Sequence, residues 1–289
     1  MFSLGVITDE VSQDFEQALM FAKSHGLSCV ELRSAWEKGP FEFTDEDILK
    51  IRDLSEKYQL PIVAISSPMF KCDYFDETQK RAHLEQFRRL VKRAELLGVK
   101  TIRCFDFFCD SRIGYQEIKE AYAEPIKLCQ EAGITIVIES EPTTNSSDCQ
   151  KLGNLIRAID HPTVRALYDP GNNLYAPTDE IPYPDGFEHI KDIYAHVHIK
   201  DAVRLNGKTE GRAVGQGEVN YPGVFCRLLR TGYEGYVMLE THYKPNATIS
   251  EELLKNPKGS AISFMGDIAS AECLTGLKRI IAQAREEVK

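Results

Sequence analysis

The sequence predicts an α/β fold, a single-domain (β/α)8 (TIM) barrel over residues 1–289, and three observations predict it. Eight short runs rich in Val and Ile alternate with segments of helical period. Such alternation implies parallel strands joined by crossover helices, and eight units are the number that closes a barrel. Glycines at positions 26, 98, 133 and 232 fall at helix ends just ahead of a strand, where a left-handed residue is cheap for glycine. The chain of 289 residues is also close to the roughly 250 residues typical of such barrels.

Taken in order, the first strand is read at residues 4–7 (Leu4-Gly5-Val6-Ile7), with a helix over 12–25. Further strands are read at 29–32, 62–65, 101–104, 134–138, 164–168, 194–199 and 236–239. Helices are expected near 44–58, 78–97, 115–132, 148–159, 185–192, 220–231 and 266–286. After the first strand the chain reads Thr8-Asp9-Glu10-Val11-Ser12, without a GxGxxG or P-loop pattern, which argues against a doubly wound open sheet. Segments 66–77 and 241–265 read as long loops at strand C-terminal ends, where barrels of this kind build their active sites.

Composition narrows the function classes. With 43% hydrophobic and 27% charged residues, the chain matches ordinary globular proteins. No apolar stretch approaches the roughly 18 residues of a membrane span. The opening MFSLGVITDEV carries neither a basic leader nor a small-residue cleavage site, so the cytoplasm is the expected compartment. Eight cysteines without a CxxC pair read as reduced, packed thiols. A formal charge of −9 opposes binding to a phosphate backbone, so no nucleic-acid partner is expected.

Several apolar strands end abruptly in a metal-ligating residue type. Glu139 closes the fifth strand, Asp169 the sixth and Glu240 the eighth. The seventh carries His196 and His198, two apart and therefore on one face. If Glu139, His198 and Glu240 point inward, then Ile136, Ile138, Val197, Ile199, Val237 and Leu239 point outward toward the helices. A lone carboxylate at a strand end commonly caps the next helix, but four such positions on consecutive strands favour a shared site. Three carboxylates with one imidazole suit one divalent ion, Mn2+ first, with Mg2+, Co2+ or Zn2+ as alternatives.

The chain resembles the xylose-isomerase-like superfamily of barrel proteins, which holds ketose 3-epimerases, hydroxypyruvate isomerase, inosose dehydratase, dehydroshikimate dehydratase and apurinic-site endonucleases. The motifs LGVITDE, IVIES, ALYDPGN, HVHIKD and VMLETH carry the resemblance along essentially the whole chain, HVHIKD and VMLETH most specifically. It implies Glu139, Asp169, His198 and Glu240 as ligands, with His196 as an orienting or packing neighbour. In the epimerases an arginine six residues after the ligand histidine contacts substrate, which implies Arg204; a surface salt bridge is the alternative. Asn145 and Asn172 stand where the epimerases have glutamate and histidine, and an asparagine can hydrogen-bond a hydroxyl but cannot titrate.

Further substrate contacts are expected of His242, on the face of Glu240, of Lys71 toward a carboxylate or phosphate, and of Trp36 as a pocket wall. The glycine-bearing stretch 214–218 is expected at the rim. The activity implied is isomerisation or epimerisation of a sugar or sugar phosphate, with Glu139 and Glu240 transferring protons through a metal-stabilised enediolate. A lyase acting on a keto-inositol or keto-glycoside is the alternative; a non-catalytic sugar-binding barrel is another. A DNA endonuclease is disfavoured by the charge and by a total of seven histidines. The resemblance also implies a homo-oligomer and a small-molecule partner.

Overall fold

The computed structural model describes residues 1–250, 252–253 and 257–289. Its strands are β1 (Ser3–Ile7), β2 (Cys29–Leu32), β3 (Ile62–Ser66), β4 (Thr101–Cys104), β5 (Thr135–Glu139), β6 (Val164–Tyr168), β7 (Tyr194–Ile199), β8 (Asp201–Leu205), β9 (Lys208–Arg212) and β10 (Tyr236–Leu239). All but β8 and β9 form a closed barrel of parallel strands in the order β1-β10-β7-β6-β5-β4-β3-β2. These eight are the strands read from the sequence. Closure is made by β1 against β10, with Gly5 opposite Met238, and Met238 in turn lies opposite His198 of β7.

Strand parity divides the core in two, as the sequence predicts. Ile136, Ile138, Val197, Ile199, Val237 and Leu239 are buried in the layer between strands and helices. Ile7, Cys29, Val63 and Met238 form a separate small cluster, the apolar floor inside the barrel. Each inward row then turns polar toward its C-terminal end, so the floor gives way to a charged mouth.

The helices begin where a side chain can accept the orphan amides of a first turn. Asp14 caps Phe15–Ser24, Thr44 makes a capping box with Asp47 on Asp45–Tyr58, and Asp76, Asp148 and Asn220 cap later helices. The first long helix therefore starts at Phe15 rather than near 12. Gly26, Gly98, Gly133 and Gly232 all adopt left-handed φ angles between 63° and 69°, as expected. The helix expected over 115–132 is two, Tyr115–Ala121 and Ala123–Ala132, joined at Tyr122. Gly266–Val288 is the long C-terminal helix.

The antiparallel hairpin β8–β9 is an addition to the predicted pattern. Its turn is Asn206-Gly207, with φ of 52° and 76°, the dipeptide that two-residue hairpin loops favour. Of the segment 241–265 read as a loop, residues 251 and 254–256 lie outside the described residues, and Gly259–Ser263 is a short helix. All eight cysteines are unpaired, and Cys109 is the exposed one. No helix among the described residues is long and apolar enough to cross a membrane.

Candidate functional site

The charged mouth opens into a cavity of about 780 Å3 lined by residues from the ends of β2, β3, β4, β5, β7 and β10 and by the turn of the β8–β9 hairpin. At its base Glu139, Asp169, His198 and Glu240 are all buried, and one ligand atom from each lies within 4.8 Å of the others. His198 Nδ1 is 3.4 Å from Glu139 Oε1 and 3.6 Å from Glu240 Oε2. The sequence places these residues at the same depth because each ends, or nearly ends, a strand of one parallel barrel.

Each of the four is oriented by a second partner. His198 Nε2 lies 3.1 Å from Oε2 of Glu31, which also holds His196 Nε2 at 2.7 Å and takes the Ser66 hydroxyl on Oε1. Glu31 thus fixes the imidazole so that Nδ1 faces the carboxylates. The Gly171 and Asn172 amides donate to Asp169 Oδ1 at 2.9 and 3.1 Å, turning Oδ2 toward the centre. Gly171 permits this turn because a Cβ there would lie 2.4 Å from Lys200 Cγ. Asn172 Nδ2 donates to Glu139 Oε1 and to the Ser140 carbonyl.

Three cations face these carboxylates. Arg103 binds Glu139 Oε2. The Lys200 ammonium lies 2.6 Å from Asp169 Oδ2 and contacts Glu240 Oε2. Arg33 reaches Glu240 Oε1 at 2.7 Å while also pairing with Asp9 and Glu10. Burial opposes ionisation of Glu139, but Arg103 holds its carboxyl below the usual range. Burial likewise opposes ionisation of Glu240, yet Lys200 and His242 keep it far below. For Asp169, burial wins over Lys200 and pushes the carboxyl up to about 6. Burial disfavours a charged His198 ring, but Glu31 and the carboxylates at Nδ1 raise it well above the ordinary histidine value.

This donor set fits a divalent cation. His198 Nδ1 is buried without a hydrogen bond, which in a native interior calls for a missing partner, while Asp169 Oδ2 has only the Lys200 ammonium as its counter-charge. Three carboxylates and an imidazole are the donors that Mn2+, Mg2+, Co2+ and Zn2+ accept, and a carboxylate behind the ligating histidine is the usual outer-shell device. Loading would displace a proton from the His198 ring. Glu31, His196 and His198 are also close enough together to hold an ion, but their hydrogen bonds already satisfy one another.

The remaining predicted contacts divide. Asn172, Lys71 and His242 line the cavity; His242 Nε2 sits 3.2 Å from Glu10 Oε1 and 3.4 Å from Glu240 Oε1. Arg204 does not reach it. Its guanidinium donates to the carbonyls of Leu174 and Asn173, so it pins the turn after β6 outside the cavity lining, and among the described residues it makes no salt bridge. Asn145 is likewise drawn away: Nδ2 donates to the Asp106 carbonyl at 2.8 Å, and Oδ1 accepts from the Asp110 amide.

Trp36 packs edge-on against Phe15 under the Lys50 ammonium, outside the cavity lining. The stretch 214–218 folds around Asp201, whose carboxylate accepts the Gly215 and Gly217 amides; the rim is made instead by Gly207, Lys208, Thr209 and Glu210 of the hairpin.

Sequence reasoning passed over Glu10, Glu31, Arg33, Arg103 and Lys200. A signal was present for most of them. Glu31 and Arg103 each interrupt a four-residue strand of otherwise uncharged residues, and Lys200 continues the inward row of His196 and His198. A charged residue at an inward strand position has to meet an opposite charge.

A family model described as xylose isomerase-like TIM barrel matches residues 19–257. An inosose isomerase of Bacillus velezensis is 21% identical over 267 residues, covering 86% of this chain and 90% of that relative. Among solved structures, a D-tagatose 3-epimerase-like protein superposes with a TM-score of 0.75 at 16% identity, covering all of both chains. An IOLI protein with a bound zinc atom gives a TM-score of 0.73 at 16% identity, covering 98% of this chain and 99% of that one. At such identities the structural likeness is one of fold.

Proposed function

The chain belongs to the xylose isomerase-like TIM barrel family, and from that premise we propose that it is a divalent-metal-dependent enzyme that isomerises or epimerises a small sugar or sugar phosphate by proton transfer. The observation that carries the reading is the buried set Glu139, Asp169, His198 and Glu240, converging with His198 Nδ1 left without a hydrogen bond at the base of a sugar-sized cavity. These four residues would hold the ion, Mn2+ first on donor chemistry, with Mg2+, Co2+ and Zn2+ also suited. A bound divalent ion supplies Lewis acidity, polarising a substrate carbonyl and its adjacent hydroxyl.

Glu139 and Glu240 are the two catalytic groups. They approach the centre from different strands, β5 and β10, so one can take the proton from the hydroxyl-bearing carbon next to the carbonyl while the other returns one. Return at the opposite face of the same carbon gives an epimer; return at the neighbouring carbon gives an isomer. Arg103 on one and Lys200 and Arg33 on the other keep both carboxylates ionised at neutral pH, ready to accept. Asn172 steers Glu139 through its 3.2 Å hydrogen bond, and His242 stands beside Glu240 to donate to a substrate oxygen. If the carbanion left by proton removal instead expels a β-hydroxyl, which leaves as water with a proton from the protonated glutamate, the same residues make a lyase.

Proton NMR in D2O with Mg2+-loaded enzyme and a panel of ketoses, ketose phosphates and keto-inositols tests this. Exchange of a carbon-bound proton without loss of water is the expected result. Glu139→Gln and Glu240→Gln should each slow it by about 10²–10⁴-fold, measured on variants whose circular dichroism shows the barrel still folded. Exchange leading to an enone or diketone would make the protein a lyase, and wild-type rates in both variants would remove the two glutamates from the chemistry. Metal loading and sugar binding with no exchange across the panel would leave a sugar-binding barrel.

A further inference from the structure

The wall of the cavity formed after β3 and by β4 carries Lys71, which proton transfer does not use, and Arg103, which has donors beyond the one it gives Glu139. Lys71 has a side chain only 8% exposed, and the nearest carboxylate to its ammonium is Glu141 Oε2 at 3.6 Å. That oxygen already takes the hydroxyl of Thr143 and, at 3.3 Å, its amide. Arg103, also 8% exposed, spends Nη1 on Glu139 and leaves Nε buried without a partner. Both cations lie against Phe105, the Lys71 ammonium 4.8 Å and the Arg103 guanidinium carbon 4.4 Å from the ring centroid. All three side chains, with Glu141, line the cavity.

The position of Lys71 is held by the backbone. The strap that carries it is laced to the segment after β4, the amides of Phe105, Phe107 and Phe108 donating to the carbonyls of Met69, Phe70 and Cys72 at 2.8–2.9 Å. With no hydrogen bond from its ammonium among the described residues, Lys71 has donors free for a partner in the cavity. Local charge points the same way. Arg33 is fully engaged by Asp9, Glu10 and Glu240. The three carboxylates of the centre are opposed by Lys200 and, when loaded, by a divalent ion. Among the described residues the carboxylates within salt-bridge distance of Lys71 and Arg103 are Glu141 and Glu139, and a bound ion would relieve Arg103 of the second.

We propose that Lys71, with Arg103 and the face of Phe105, receives an anionic group at one end of the substrate, so that the substrate is a sugar acid or a sugar phosphate rather than a neutral sugar. The proposal rests on the functional reading above and names the substrate class for it. Anionic oxygens facing an ammonium and a guanidinium form charge-assisted hydrogen bonds, stronger than those to a neutral hydroxyl. Carboxylate and phosphate share that chemistry and differ in size and charge.

Titration calorimetry on the Mg2+-loaded enzyme with D-glucitol, D-gluconate and D-glucitol 6-phosphate separates the cases. At least one anionic probe should bind tenfold or more tightly than glucitol. Preference for gluconate indicates sugar acids, and preference for the phosphate indicates sugar phosphates. Lys71→Met, which keeps the apolar stem, should abolish that preference and leave glucitol affinity within twofold, whereas Lys71→Arg should retain it. Equal affinities, no binding of either anion, or a preference that survives Lys71→Met overturns the proposal. Bound metal measured on the same samples separates the two readings: an unloaded wild-type protein removes the metal-dependent function, while a loaded one without anion preference removes only the substrate class.

Discussion

On the wall built by β5, β6, β7 and β10, each candidate ligand sits at or just beyond the end of an apolar strand and points at a common centre. On the wall built by β1, β2, β3 and β4, the charged groups Glu10, Glu31, Arg33, Lys71 and Arg103 lie among residues that look like core, and none belongs to the set Glu139, Asp169, His198 and Glu240. The first wall is a donor set. The second orients it, through Glu31 on His198, and neutralises it, through Arg103 on Glu139 and Arg33 on Glu240. Lys200 belongs to the first wall by position and to the second by role, since its ammonium contacts both Asp169 and Glu240. A buried group of carboxylates therefore folds here only because half of the barrel supplies their counter-charges.

Lys200→Met breaks this arrangement most severely. Removing one partner of a buried ion pair typically costs about 3–5 kcal/mol, so metal-free protein should lose stability on that scale in denaturant titration. Added Mn2+ should recover more of the loss than it adds to wild type, because the ion replaces the missing cation. An unchanged unfolding midpoint would mean that Lys200 does not compensate the carboxylates.

Glu31→Gln tests whether the second wall acts through the first. Outer-shell partners of metal-bound histidines are worth about 10–100-fold in affinity, so Mn2+ measured by chelator competition should bind that much more weakly, although Glu31 would not touch the ion. An affinity within twofold of wild type would reduce Glu31 to a packing role.

The pH dependence of loading sharpens the same contrast. The ion needs Asp169 ionised, and burial places that carboxyl at about 6. Protons therefore compete more strongly as pH falls through 6, and affinity should drop by about tenfold per pH unit for that one proton. Because the His198 ring is held protonated well above its ordinary value, affinity should keep rising above pH 7 rather than level off. Mn2+ titrations between pH 5 and 8 would check both limbs, and a flat profile would contradict both.

Arg204→Ala should have the smallest effect, as Arg204 lies on neither wall. Loss of its hydrogen bonds to Leu174 and Asn173 should cost about 1 kcal/mol, with metal affinity and proton exchange within twofold of wild type. A large loss of exchange would return Arg204 to the substrate contact that the family resemblance implied.

How much was legible follows from what each residue type must do locally. Glu139, Asp169 and Glu240 stand out because a carboxylate ending a Val- and Ile-rich run breaks a strong pattern, and the parity of Val197 and Ile199 fixes where His198 points. Asn206-Gly207 advertised the β8–β9 hairpin, yet the expected barrel pattern left no place for one. Arg204 and Asn145 were placed by spacing from a ligand, and spacing cannot tell whether a guanidinium or amide meets the cavity or a nearby backbone carbonyl. Trp36 follows a barrel strand, as a pocket residue would, but Phe15 and Lys50 claim its ring.

By itself the sequence determined the closed parallel barrel, the inward and outward faces of its strands and the convergence of carboxylates and histidines at one end of it, because periodicity, helix caps and strand ends act over a few residues. Tertiary structure alone decided that Glu31 backs His198, that Lys200 lies between Asp169 and Glu240, and that Lys71 and Arg103 share Phe105. Charge pairing across a barrel is a matter of distance in space, and these partners come from strands whose closeness is set only when β1 meets β10.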